Sequence, residues 1–369
     1  MDFRAKRILA PLTKGGNLPF RRLCVDFGAE ITVSEMAYAR EIKRRNKRER
    51  ALLRHHPSES CFGVQLAGRQ LDETLLAAER AVEAGAKFID LNCGCPIYET
   101  TKRALGAAMM RKPNALAKLV GSLVGELAVP VTVKIRAGWK ESSINALEIA
   151  QKLVQAGAAA ITLHARTREQ RYSKAANWDL VRQLVEQCNI PIVGNGDILT
   201  HYEHERRLRE SSCASIMLGR GALIKPWLFK EIAEQRSWLP NAEQRVEVYM
   251  RLVQYLKEHF GSDELGKRRV MQFLPWHFGF FCRYRPLPRT EWEAAALEHP
   301  LLQTRLARYE SEDPLELLLQ DANEDTHAAI SEQLWLAETV AEACERLLGL
   351  AKLTEFGDLE QREFAVSAG

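Results

Sequence analysis

The chain has 369 residues, 46% of them hydrophobic, eight cysteines and a formal net charge of +4. That length exceeds the usual single domain and can bury a sizeable core, and the composition excludes a disordered or fibrous protein. No stretch reaches the roughly 20 apolar residues of a membrane span and no long apolar run follows the charged start, so neither a membrane protein nor a secretory leader is expected; cysteines without regular spacing read as reduced thiols in the cytoplasm.

In chain order, eight short apolar runs predict strands at 8–12, 31–35, 62–66, 88–92, 131–135, 160–164, 191–195 and 215–219. Helical spacing separates them, as in Leu71, Leu75, Ala78 and Val82, or Leu147, Ile149, Leu153 and Val154. Strands that are apolar throughout and alternate with helices imply a parallel sheet covered on its faces. Eight such units close into a (β/α)8 TIM barrel, expected over residues 1–237. An open doubly wound sheet is the alternative, and it lacks a glycine fingerprint after the first strand, where Pro11-Leu12-Thr13-Lys14-Gly15-Gly16 would have to serve.

After Trp238-Leu239-Pro240 only helical patterns remain, which sets an all-helical domain at 238–369. Asn241 with Gln244 has the form of a capping box, and Thr290 with Glu293 looks like another helix start. Residues 271–285 mix aromatics with basic residues and read as a core helix with a basic flank. Leu334, Ala337, Val340, Ala341, Cys344 and Leu347 predict a closing helix.

The modest net charge hides segregation along the chain. Residues 40–54 hold eight Lys or Arg against Glu41 and Glu49; residues 267–289 hold six basic residues and no acidic one; residues 310–345 hold eleven acidic residues and no Lys or Arg.

Barrel active sites lie at the C-terminal ends of the strands. Gln65, Asn92, Cys95, Lys134, Arg136, His164, Arg166, Asn195, Asp197 and Arg220 all fall there. The run Leu91-Asn92-Cys93-Gly94-Cys95-Pro96 puts a cysteine on a strand-to-loop edge, where it is either a reactive thiol or a buried structural one. Cys93 and Cys95 have no second ligand pair nearby in sequence, so no metal is expected. The glycine-rich turns Gly194-Asn195-Gly196-Asp197 and Gly219-Arg220-Gly221-Ala222 after strands seven and eight have the form of this fold's phosphate site, to which Arg220 adds charge.

Together these segments resemble the tRNA-dihydrouridine synthases. Ala10-Pro11-Leu12 with Pro19-Phe20-Arg21, Val64-Gln65-Leu66, Asn92-Cys93-Gly94-Cys95-Pro96, Val133-Lys134-Ile135-Arg136, His164-Ala165-Arg166-Thr167 and the two glycine turns occur in that family's order across roughly residues 8 to 232. The resemblance implies a flavin-binding barrel followed by a helical tRNA-binding domain. It implies FMN held by Pro11, Thr13, Gln65, Lys134 and His164 around the ring, and by Asn195, Gly196, Asp197, Gly219 and Arg220 around the phosphate. Asn92, Arg136, Arg166 and Tyr172 would face the target uracil.

In that family's chemistry NADPH reduces FMN, hydride passes from flavin N5 to C6 of the uridine, and Cys95 would supply the proton to C5. A general acid must hold its proton at working pH, which an ordinary thiol does. The uridine must be turned out of the tRNA to reach a barrel mouth, and the basic segments are the candidates for phosphate contacts. Asn17-Leu18 stands where many bacterial members have Thr-Asp, which with Phe229-Lys230-Glu231-Ile232 looks closer to the eukaryotic-type, variable-loop subgroup. Ala165 replaces a common glycine. The competing enzyme reading is an FMN barrel acting on a small molecule, of the dihydroorotate dehydrogenase type; a monomer is expected in either case.

Overall fold

Short runs of β-branched and aromatic residues form the strands of the computed structural model, which describes residues 2–304 and 306–367, with side chains through 353. Among the described residues these are β1 (Arg7–Leu9), β2 (Thr32–Val33), β3 (Ala37–Tyr38), β4 (Phe62–Ala67), β5 (Phe88–Cys93), β6 (Val131–Gly138), β7 (Ala160–Thr167), β8 (Ile192–Asn195) and β9 (Ser215–Leu218). Their order is β1-β9-β8-β7-β6-β5-β4-β2, every pair parallel. A bridge between Ile8 and Ile31, with the Leu9 N–H donating to the Ile31 carbonyl at 2.9 Å, completes the ring. The expected eight-stranded barrel is therefore present. The extra β3, pairing Ala37 with Leu66, is too short for its two residues to show a period in the sequence.

Inside the ring, Ile8, Val33, Phe88, Ala160, Val193 and Met217 pack as one apolar layer. Full burial of a side chain such as Phe88 stabilises by about 2–3 kcal/mol. Gly63 makes room for it, since a Cβ there would lie 2.2 Å from the Phe88 ring. Outside, helices turn a narrow stripe of small or apolar residues inward, as one of them illustrates. Leu71–Glu83 buries Thr74, Ala77, Ala78 and Ala81, carries Asp72 and Glu73 in its first turn where the helix dipole favours them, and is followed by Gly85 at φ +102°.

The chain divides into two compact units. The first comprises Met1–Ala222, Pro226–Ser237 and Arg289–Arg305; the second comprises Leu223–Lys225, Trp238–Pro288 and Leu306–Gly369. These units follow the division at 238 except that 223–225 groups with the second unit and 289–305 with the first. Arg289 pairs with Glu205 at 3.1 Å, the Leu301 N–H donates to buried Glu203 at 2.9 Å, and Gln303 donates to Asp197 at 2.9 Å. These partners supply donors that the buried barrel carboxylates require. Thr290 is not a cap either: the helix already begins at Arg289, which is paired with Glu293 at 2.7 Å.

Within the second unit, Ala242–Phe260 starts at the expected capping box, Gln244 N–H donating to Asn241 at 2.9 Å and Asn241 N–H to Gln244 at 3.0 Å. Its buried Tyr249 stacks on Phe281 with 4.5 Å between centroids. Four of the eleven acidic residues at 310–345 are paired here: Glu316 with fully buried Arg245, Asp321 with Arg308, Glu332 with Lys267 and Glu342 with Arg346. The closing helical pattern is split, since Glu324–Leu336 ends at Ala337 and a second helix spans Val340–Ser367. Among the described residues no helix is long and apolar enough to cross a membrane.

Candidate active site

Parallel register lines the candidate residues up along the C-terminal rim. Gln65 sits beside Asp90, Asn92 beside Lys134, Arg136 beside His164, and His164 beside Asn195. Alternation along a strand turns residues two apart to the same side, so Asp90 and Asn92 share a face, as do Lys134 and Arg136. The polar side chains of β4 to β8 thereby converge at one mouth.

The Cys95 loop is held from below. Asn92 is 7% exposed; its Oδ1 accepts from the Cys95 N–H at 3.0 Å and the Gly94 N–H at 3.3 Å. Arg136 Nε donates to the Gly94 carbonyl at 2.7 Å and its other arm to the Thr167 carbonyl at 2.9 Å. The Cys95 thiol is partly exposed and lies 3.5 Å from the Thr100 hydroxyl, which in turn meets Tyr38 OH at 2.8 Å. Cys93, two residues earlier, is fully buried, and burial followed by Asp90 pushes its thiol well above the ordinary range. Of the two cysteines, Cys95 is the one with access to the mouth.

Lys134 donates to Asn195 Oδ1 at 2.9 Å, and Asn195 Nδ2 donates to the Met217 carbonyl at 2.8 Å, which fixes the amide's direction. Burial, with Arg136 second, pushes the Lys134 ammonium down to about 7. Burial and then Arg136 likewise hold His164 well below its usual value, and Arg136 itself is lowered to about 10. Lys134, Arg136, Arg166 and Arg220 thus outnumber the two carboxylates near them, Asp90 and Asp197. A mouth with surplus positive charge fits an anionic ligand.

Around the seventh and eighth turns, Asp197 is the organiser. Its carboxylate accepts from Arg166 at 2.5 Å, the Ala176 N–H at 2.8 Å, Gln303 at 2.9 Å and Arg220 at 3.3 Å. Arg220 also lies 3.9 Å above the ring of Tyr172, which is half exposed. Gly196 has φ +139° and a Cβ there would strike Ala176 at 2.6 Å. Beside Gly219, by contrast, a Cβ would meet nothing nearer than Leu12 at 3.9 Å, which leaves the backbone open to a ligand. Pro11 is half-buried and Thr13 exposed in the loop after β1. The positive surplus and the open backbone at Gly219 fit a flavin mononucleotide.

Arg166 is fully buried, its guanidinium on Asp197, the Lys174 carbonyl at 2.5 Å and His164 at 3.4 Å. The sequence reading missed Asp90, Thr100 and Gln303. Asp90 carried a usable signal, its two-residue spacing from Asn92, whereas Gln303 carried none. Among the described residues no cluster of three or more His, Cys, Asp or Glu is placed to hold a metal ion.

Residues 8–303 match the family profile described as "Dihydrouridine synthase (Dus)". The chain is 40% identical over 340 residues to the Xenopus tropicalis protein named tRNA-dihydrouridine(47) synthase [NAD(P)(+)]-like, covering 90% of this chain and 52% of that one. To the Homo sapiens protein of the same name it is 42% identical over 291 residues, covering 78% and 44%. To tRNA-dihydrouridine(47) synthase [NAD(P)(+)] of Coprinopsis cinerea it is 37% identical over 347 residues, covering 90% and 51%. The chain therefore spans about half the length of the curated relatives it matches. Among solved structures, 6-hydroxypseudooxynicotine amine oxidase from Pseudomonas geniculata N1 superposes with a TM-score of 0.50 at 10% identity, over 72% of this chain and 52% of that one. A 2-naphthoyl-CoA reductase gives 0.50 at 13% identity, over 63% and 50%. At such identities these two likenesses concern the fold alone.

Proposed function

The chain belongs to the dihydrouridine synthase family, and from that premise we propose that it reduces the C5=C6 bond of a uridine in tRNA, with FMN as resident cofactor and NADPH as reductant. The relatives' names specify position 47, and the proposed target is the same uridine. The observation that carries the reading is a partly exposed Cys95 on the loop after β5, held by Asn92, which lies beside Lys134, in a mouth with surplus positive charge.

Pro11, Thr13, Gln65, Lys134 and His164 would hold the flavin ring; Asn195, Gly196, Gly219 and Arg220 would line its phosphate end. When bound, FMN supplies the hydride that adds to uracil C6. The proton for C5 comes from the Cys95 thiol, so that hydride and proton together saturate the double bond and leave a thiolate that water must reprotonate. Lys134, next to the ring, stabilises negative charge through a preorganised ammonium in a site of low polarity. Asn92 orients the Cys95 loop, while Arg136, tied to two carbonyls, keeps that loop against β6. Tyr172, stacked with Arg220, offers an exposed aromatic face to a turned-out base. Arg45, Lys47, Arg48, Arg50 and Arg54 form no ion pair among the described residues and are proposed to meet tRNA phosphates. The cytoplasm is the proposed compartment, consistent with eight free cysteines.

The test is direct. Protein as purified should be yellow and release FMN on denaturation, and with NADPH it should form dihydrouridine at position 47 of an unmodified tRNA transcript, mapped by primer extension. FMN present with no product on tRNA, but with turnover of a small unsaturated ring, would select the small-molecule barrel oxidoreductase instead.

A further inference from the structure

Asp90 lies on β5 two residues before Asn92 and is 2% exposed. Its Oδ1 accepts from the Thr132 hydroxyl at 2.7 Å and its Oδ2 from Gln65 Nε2 at 2.7 Å. Gln65 Oε1 then accepts from Asn92 Nδ2 at 2.7 Å, and Asn92 Oδ1 accepts from the Cys95 N–H at 3.0 Å. Four groups thus connect the barrel interior to the loop that carries the thiol.

Direction along this chain is not arbitrary. A side-chain amide has a donating and an accepting end and can face either way, whereas an ionised carboxylate only accepts. With a carboxylate at position 90, Gln65 must turn its NH2 inward and its carbonyl toward Asn92. Asn92 must then give its NH2 to Gln65 and keep its oxygen for the backbone N–H groups of Gly94 and Cys95. Reverse the two amides and Asn92 would present NH2 to those N–H groups, donor against donor, leaving buried donors without acceptors.

We propose that Asp90 is a positioning residue whose acceptor-only carboxylate sets the direction of the Gln65 and Asn92 amides and so holds the Cys95 loop in the pose its thiol needs. The role of that pose in proton transfer rests on the dihydrouridine synthase reading above; the direction-setting itself does not.

Site-resolved alkylation of Cys95, followed by peptide mass spectrometry on the full-length protein as purified, tests the inference at one fixed pH. Asp90→Leu removes the anchor, and Cys95 should react with iodoacetamide about threefold to tenfold faster, the weight of one net hydrogen bond. Asp90→Asn leaves both directions open, because the Thr132 hydroxyl can accept as well as donate, and should give a smaller acceleration. Adding Gln65→Glu to Asp90→Asn moves the acceptor-only group one step along, restores direction at Asn92, and should return the rate to the wild-type value. Buried Cys93 is the internal control and should not change. A wild-type Cys95 rate in Asp90→Leu, equal acceleration of Cys93 and Cys95, or no restoration in the double variant each overturns the proposal. If Asp90→Leu does not fold, Asp90→Asn against Asp90→Asn/Gln65→Glu decides alone, since both keep the wild-type volume. The readout needs neither FMN nor tRNA, so a colourless or inactive preparation would fell the functional reading and leave this result standing.

Discussion

Gln303 donates from Nε2 to Asp197 Oδ1 at 2.9 Å, across 106 residues of sequence. That one bond ties a segment after the basic helices to the residue that organises the seventh turn of the barrel. Asp197 in turn holds fully buried Arg166. Asp197→Ala leaves that guanidinium buried and unpaired and should cost about 3–5 kcal/mol, whereas Gln303→Ala removes one donor and should cost about 1 kcal/mol. Urea denaturation of the two variants gives both values, and a Gln303→Ala cost equal to that of Asp197→Ala would contradict the hierarchy.

A chain ending at residue 240 lacks the Leu301 N–H that satisfies Glu203 as well as the Gln303 amide. Its urea midpoint should fall below that of the same barrel with 289–304 attached through a flexible linker, by about 1–3 kcal/mol for one buried acceptor left short. Equal midpoints would show that the returning segment adds nothing to barrel stability.

Cys95→Ala should abolish dihydrouridine formation on unmodified tRNA while FMN content stays at the wild-type level. Cys93→Ala should keep most activity and lose about 1 kcal/mol of stability, the scale of a small cavity in a packed core. Product mapping on both variants decides, and equal loss of turnover would reassign the acid.

Lys134→Met should weaken FMN binding yet raise the thermal midpoint of flavin-free protein at neutral pH, because burial disfavours the ammonium it removes. The sign with pH follows. Folding lowers the ammonium from its ordinary 10.5 to about 7, so between those values the unfolded chain holds the extra proton and the stability of flavin-free protein rises with pH. Thermal melts of flavin-free protein across that window should show the rise in wild type and a flatter profile in Lys134→Met.

Arg48→Ala with Arg50→Ala should lower tRNA affinity with little change in turnover at saturation. Two lost phosphate contacts reduce the slope of log affinity against log salt by about 2 at most. A salt slope identical to wild type would remove the helix at Lys47–Ala51 from the RNA-binding surface.

Sequence periodicity located the barrel because the strands from β4 to β9 are buried on both faces almost throughout and so read as mainly apolar runs. The rim candidates were legible as the polar residues at or just past the C-terminal end of each run. Side-chain direction was not. Arg166 looks like any rim arginine until its strand places it under Asp197, and a charge read from sequence carries no sign of whether its partner is a ligand or a neighbour. Asp90 lay inside an apolar run, where a single carboxylate reads as an exception, although its spacing from Asn92 pointed to a shared face. Gln303 follows no local pattern at all, because what holds it is tertiary.

The first strand makes a three-residue ladder with β9 but only one bridge toward β2. Beside that ladder, the Lys6 N–H donates to the Ser215 hydroxyl at 2.8 Å, over 209 residues. During synthesis β1 therefore waits, without its main neighbour, until the chain as far as β9, about 209 residues further on, has been made. Closure of the ring is a late, long-range event, of the kind that slows folding and leaves early segments in need of protection from aggregation. Amide exchange in a refolding pulse should find the Ala10 N–H, which donates to the Leu218 carbonyl at 2.8 Å, among the last in the barrel to be protected.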